Sequence, residues 1–112
     1  MLINFDNFDK LTMGDADFAR DLLQIYINEL KNYIKEVEEF LVDKDLPKFR
    51  LRNHDLRTIV KTLALDGVQE LQEKLKASVS KNAPQEQLEA QGMQMKNLLI
   101  QAIEALNMKL GN

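Results

Sequence analysis

Apolar residues recur at intervals of three and four along almost the whole chain, and no segment alternates apolar with polar residues over the length of a strand. Ala19, Leu22, Leu23, Tyr26, Leu30, Ile34, Val37 and Leu41 trace one face of a long helix, with Asp15, just after Gly14, placed to cap it. Asp43-Lys44-Asp45 ends that helix, and Asp45 followed by Pro47 in the first turn marks the start of a second. The second helix runs to about Leu65 and gathers Phe49, Leu56, Val60 and Leu63 on one side. Asp66-Gly67 is the next break, with Asp66 as the cap and Gln69 three residues on, a capping-box spacing. Val68, Leu71, Leu75 and Val79 then define a third helix. A loop from Ser80 to Pro84 leads to a fourth stripe of Leu88, Met95, Leu98, Leu99, Ala102, Leu106 and Leu110. Connections this short make consecutive helices antiparallel. The pattern predicts an all-α protein, an antiparallel up-down-up-down four-helix bundle with residues near Leu2 to Leu11 forming a short N-terminal capping helix over one end.

Composition narrows the function classes. A chain of 112 residues is expected to form a single domain over residues 1–112 with one modest core. Its 45% hydrophobic and 29% charged residues are ordinary for a folded globular chain. There is no cysteine, which excludes disulfide staples, thiolate metal sites and thiol nucleophiles together. The net charge of −3, with Lys and Arg interspersed among Asp and Glu, argues against general nucleic-acid affinity. The start, Met-Leu-Ile-Asn-Phe-Asp, has no basic n-region, and no run approaches the roughly 20 apolar residues of a membrane span. The default expectation is a cytoplasmic monomer with neither a membrane nor a nucleic-acid partner.

Little catalytic chemistry is on offer. Helical bundles often hold di-metal sites built from Glu-x-x-His pairs, but this chain has one histidine and no glutamate three residues before it, so no metal site is expected. Glu36, Glu38 and Glu39 read as a solvated helix face. Met93, Met95 and Met108 read as core filler and helix surface. No glycine-rich phosphate loop is present, and no serine or threonine has a histidine base at a recognisable spacing.

The lone histidine, His54, is the exception. It lies in Arg-Asn-His-Asp-Leu-Arg-Thr-Ile-Val-Lys (52–61), and at about 100° per residue it points roughly opposite to Phe49, Leu56, Val60 and Leu63. Arg50, Arg57, Lys61 and Thr58 surround it. The bland reading is a solvated surface histidine. The chemical reading is that an imidazole nitrogen is a competent nucleophile toward phosphorus, and that cations beside it steady a transferred phosphoryl group. With no nucleotide site in view, the phosphoryl donor is expected to be another protein, and the activity to be carrying rather than autonomous catalysis.

His54-Asp55-Leu56-Arg57 resembles the core motif of the histidine-containing phosphotransfer (HPt) domains of multistep His-Asp phosphorelays: His, any residue, Leu, Lys, then Gly and small residues. The resemblance extends to Gly14-Asp15-Ala16-Asp17-Phe18, Leu22-Leu23 and Tyr26-Ile27, similar to the start of the family's long second helix. Asp45, before the histidine helix, and Val68, Leu71 and Leu75, after it, also match, so most of residues 2–80 is covered. The resemblance implies that a receiver domain docks over His54 with its aspartyl phosphate and Mg²⁺ in line. His54 would then be the phospho-acceptor, taking the group reversibly and passing it to a second receiver. Arg57 stands at the family's lysine position and is expected to contact the phosphoryl group. Lys61 and Arg50 add attractive field, and Leu51 adds apolar docking area. The chain itself is expected to bind no cofactor, the Mg²⁺ belonging to the receiver.

Two departures stand out. Thr58 replaces the usual glycine, about 40° from His54 around the helix, where it adds bulk beside the ring. Ile59 and Val60 replace small residues and point coreward. Two other readings stay open: an HPt-like adaptor that docks receiver or kinase domains without carrying phosphate, and a structural bundle that self-associates through spare apolar positions such as Phe18, Ile25 and Phe40.

Overall fold

Two of the three caps expected from the sequence, Asp15 and Asp45, start helices in the computed structural model, which describes residues 3–111. Five helices follow in order: α1 (Asp6–Thr12), α2 (Ala16–Asp43), α3 (Leu46–Thr62), α4 (Asp66–Ser80) and α5 (Gln85–Leu110). There is no strand among the described residues. Asp15 Oδ1 accepts from Phe18 N at 3.0 Å and starts α2, and Asp45 Oδ1 accepts from Lys48 N at 3.1 Å and starts α3 with Pro47 in its first turn. Between them Lys44 adopts the left-handed conformation (φ 54°), and its N–H closes on Phe40 O, ending α2.

The break between α3 and α4 differs from expectation. Helix α3 stops at Thr62 rather than near Leu65, and the N-cap of α4 is Leu65, with no side-chain cap hydrogen bond; Asp66 is already inside the helix. The turn is closed by the backbone instead. Ala64 takes a positive φ of 55°, and Leu65 N donates to Val60 O at 2.9 Å. This geometry buries both Leu63 and Leu65 completely, so burial of the two leucines outweighs the capping preference of Asp66.

Helix α2 packs against α3 and α5, and α4 packs against the same two, so one buried cluster is shared by all the helices. The principal-axis extents are 47 × 23 × 19 Å. Gly92 lets α2 and α5 approach closely: a Cβ there would lie 2.6 Å from Leu41 Cδ1. Helix α1 belongs to the end where α2 begins and α5 finishes. Phe8 is buried edge-on between Phe5 and Tyr26, with ring centroids 6.1 Å apart in both pairs. Lys109 reaches back to Asp9 (3.3 Å) and lies 4.6 Å from the Phe5 ring centroid. Asn4 N donates to Leu63 O, tying the segment before α1 to the end of α3. This corresponds to the expected N-terminal cap, although Leu2 lies outside the described residues. Among the described residues no helix is long and apolar enough to cross a membrane.

Candidate functional site

Helix α3 carries the site, and an aromatic stack anchors it. Phe49 lies parallel to Phe40 of α2, with centroids 3.9 Å apart and planes 3° apart, and Tyr33 of α2 stacks on it at 6.3 Å. Leu56, Ile59, Val60 and Leu63 are buried along the same side of the helix. The opposite side faces outward, and His54 is exposed there, as the periodicity predicts.

Beside His54 runs an open groove of about 250 Å³ between α3 and α4. Arg50, Asn53, His54, Arg57 and Lys61 form one wall, Gln69, Gln72, Glu73 and Lys76 the other, and Val60 also contributes. Four expected site residues, His54, Arg50, Arg57 and Lys61, therefore share one groove. Thr58 and Leu51 do not line it. Thr58 is exposed on α3 away from the α4 side, and Leu51 is 56% exposed.

The groove is electrostatically lopsided. Its one carboxylate, Glu73, is 2.7 Å from Lys76 of its own helix. Arg50, Arg57 and Lys61 make no ion pair among the described residues. The α2 side of the same helix is different. There Arg52 Nε is 2.7 Å from Glu36 Oε2, an ionic contact without hydrogen-bond alignment, and Lys48 Nζ meets Glu39 at 3.1 Å and Asp43 at 3.2 Å. Glu36 is thus not part of a solvated face. Its carboxyl is held above the ordinary range by burial, opposed by Arg52 and reinforced by Glu39, Glu29 and Asp55.

Behind the groove a polar ladder crosses three helices. Gln72 Nε2 donates to Tyr33 OH at 3.2 Å, and Tyr33 OH donates to Asn53 Oδ1. Burial pushes the Tyr33 phenol well above its usual range. Asn53 Nδ2 is buried with no partner.

No protein-family model matches this chain, nor does any curated protein or solved structure. A nucleophilic imidazole next to unpaired guanidinium and ammonium groups is suited to an anionic electrophile such as a phosphoryl group. No group of three or more His, Cys, Asp or Glu among the described residues is arranged to hold a metal ion.

The α4 wall was missed from the sequence, and so was Asn53. Gln69, Gln72, Glu73 and Lys76 recur at helical spacing, a signal indistinguishable from a solvated face until α3 lies alongside. Phe40 is a correction of another kind. It is 2% exposed and stacked on Phe49, so it is not a spare apolar position for self-association, while Phe18 and Ile25 are exposed.

Proposed function

We propose that the chain is a phosphorelay intermediate of the HPt type, a histidine phosphocarrier with no autonomous catalytic activity. The observation that carries this reading is the exposed His54 in a groove whose three α3 cations, Arg50, Arg57 and Lys61, lack carboxylate partners. The ring nitrogen attacks the phosphorus of a receiver's aspartyl phosphate. A P–N bond forms as the P–O bond breaks, and the aspartate leaves as a carboxylate. A second receiver reverses the step. The Mg²⁺ and the in-line geometry belong to the receiver. Arg57, Lys61 and Arg50 steady the phosphoryl oxygens and attract the receiver's acidic pocket. Leu51 and Thr58, outside the groove, form the adjoining docking surface, where Thr58 limits approach to His54. The carrier works as a cytoplasmic monomer.

The same reading takes the helices as an antiparallel up-down-up-down bundle capped by α1. The order of contacts supports it. Glu36 meets Arg52 while the later Asp43 meets the earlier Lys48, and Glu38 meets Lys96 while the later Leu41 approaches Gly92. Ser78 accepts from Gln87, while the earlier Gly67 approaches the later Leu98.

The test is incubation with a panel of phosphorylated receivers, scored for acid-labile, base-stable label on this chain. His54→Gln is expected to abolish the label and to change stability by less than about 0.5 kcal/mol, because the position is exposed. Equal labelling of that variant would remove His54 from the site. Receivers that bind without ever labelling the wild-type chain would make it an adaptor. Dimerisation with indifference to receivers would point instead to self-association through Phe18 and Ile25.

A further inference from the structure

We infer that Tyr33, which lies on α2 outside the groove, is a positioning residue for His54 and acts through Asn53; its importance to phosphotransfer rests on the phosphocarrier reading. The Tyr33 hydroxyl links both walls of the groove from behind. It accepts from Gln72 on α4 and donates to Asn53 on α3, the residue immediately before His54. A phenol has one proton to give. With that proton on Asn53 Oδ1, the Asn53 carbonyl is held toward Tyr33, and Nδ2 is left buried without an acceptor. Burial in this site keeps the phenol protonated, so it remains a donor throughout the working pH range.

Apolar packing alone orients α3 weakly. The contacts of Leu56, Ile59 and Val60 are non-directional and tolerate small rotations of the helix about its axis. A hydrogen bond weakens steeply as its angle departs from linear, so the Tyr33–Asn53 link resists those rotations at the residue next to His54. The orphaned Nδ2 supports a positional role. The amide turns its oxygen to the Tyr33 proton although this leaves Nδ2 buried without an acceptor, so the link to Tyr33 fixes the orientation of the Asn53 side chain.

Tyr33→Phe tests this, since it keeps the ring that stacks on Phe49 and removes only the hydroxyl. His54 is the only histidine, so an imidazole-¹⁵N-labelled chain gives one set of ring signals. Those signals are expected to shift in Tyr33→Phe and in Asn53→Ala. They should stay fixed in Thr12→Val, which removes a buried hydroxyl at the α1 end. The second measurement is N-phosphorylation by phosphoramidate, a donor too small to need docking. The ring nitrogen forms the new P–N bond as the donor's P–N bond breaks and ammonia leaves with the proton. Tyr33→Phe should slow this step by about tenfold, because small misplacements of a nucleophile have large effects on rate. The Tyr33→Phe/Asn53→Ala double variant should be no slower than the slower single variant, as expected when one residue acts through the other. If Tyr33→Phe does not fold, Asn53→Ala decides by the same two measurements. Ring signals that superimpose on the wild type, or an unchanged rate in a folded variant of a chain that does accept phosphate, would overturn the inference. A wild-type chain that accepts phosphate from neither phosphoramidate nor any receiver would overturn the phosphocarrier reading instead, and the ring signals would still decide the role of Tyr33.

Discussion

The two flanks of α3 carry the same kind of charge and meet different fates. On the α2 side, Lys48 and Arg52 are neutralised by Glu39, Asp43 and Glu36. On the α4 side, Arg50, Arg57 and Lys61 face Gln69, Gln72 and a Glu73 already bound to Lys76. A cation's role is therefore set by the helix placed next to it. Exposed pairs such as those of Lys48 contribute little to stability, so their main consequence is to cancel field on that flank. The unpaired group keeps its field, and His54 stands on that side.

The strongest way to break this contrast is to remove the anchor common to both flanks. Phe49→Ala deletes the ring stacked between Phe40 and Tyr33, and it should lower unfolding free energy by about 3–5 kcal/mol in chemical denaturation. Helix α3 would then lose the stack that ties it to α2. A loss below about 1 kcal/mol would mean that the stack does not anchor the helix.

Charge removal separates the flanks. Arg57→Ala and Lys61→Ala should slow labelling by phosphorylated receivers by about tenfold at low salt and flatten its salt dependence, because exposed charges steer encounter within a Debye length of roughly 10 Å at 0.1 M. Arg52→Ala, on the neutralised flank, should leave the labelling rate unchanged and move stability by less than about 1 kcal/mol. If all three variants slow labelling alike, the two flanks are not distinct.

The Glu36 carboxyl offers a pH readout of the paired flank alone. Its folded-state pKa is raised, chiefly by burial, above an ordinary value of 4.5. Ionising it therefore costs more in the folded chain than in the unfolded one. Stability declines as pH rises from the ordinary value through the raised one, and is constant with respect to this group above and below that window. Asp43 has the opposite sign: its carboxyl is lowered, first by the Asp45 N–H, and its contribution is lost as pH falls. Thermal melts between roughly pH 4 and pH 7 should show the Glu36 decline in the wild type and its absence in Glu36→Gln, with the Asp43 contribution unchanged between the two. Identical pH profiles would show that the Glu36 site is fully hydrated.

The smallest effect is expected at Thr58, exposed on α3 and outside the groove. Thr58→Gly should melt slightly lower, by up to about 0.5 kcal/mol, and transfer phosphate faster if the β-branched side chain only narrows a receiver's approach. Slower transfer in the glycine variant, recovered in Thr58→Ser, would instead give the hydroxyl a part in orienting the phosphoryl group.

The sequence by itself determined what depends on near neighbours along the chain. Helical spacing identified the long helices, local side-chain bonds made Asp15 and Asp45 caps, and the same spacing turned His54 outward on α3. Tertiary structure decided which flank of each helix would be covered, and by what. It buried Phe40 against Phe49, drew Glu36 out of solvent beside Arg52, and let the burial of Leu63 and Leu65 override Asp66 as a cap. It also set Gln69, Gln72 and Lys76 opposite His54, leaving Leu51 and Thr58 outside the groove. The Tyr33 hydroxyl shows why this could not be read in advance. Its partners are 20 and 39 residues away, so no local periodicity records them, and they meet only when burial of the apolar faces brings three helices together.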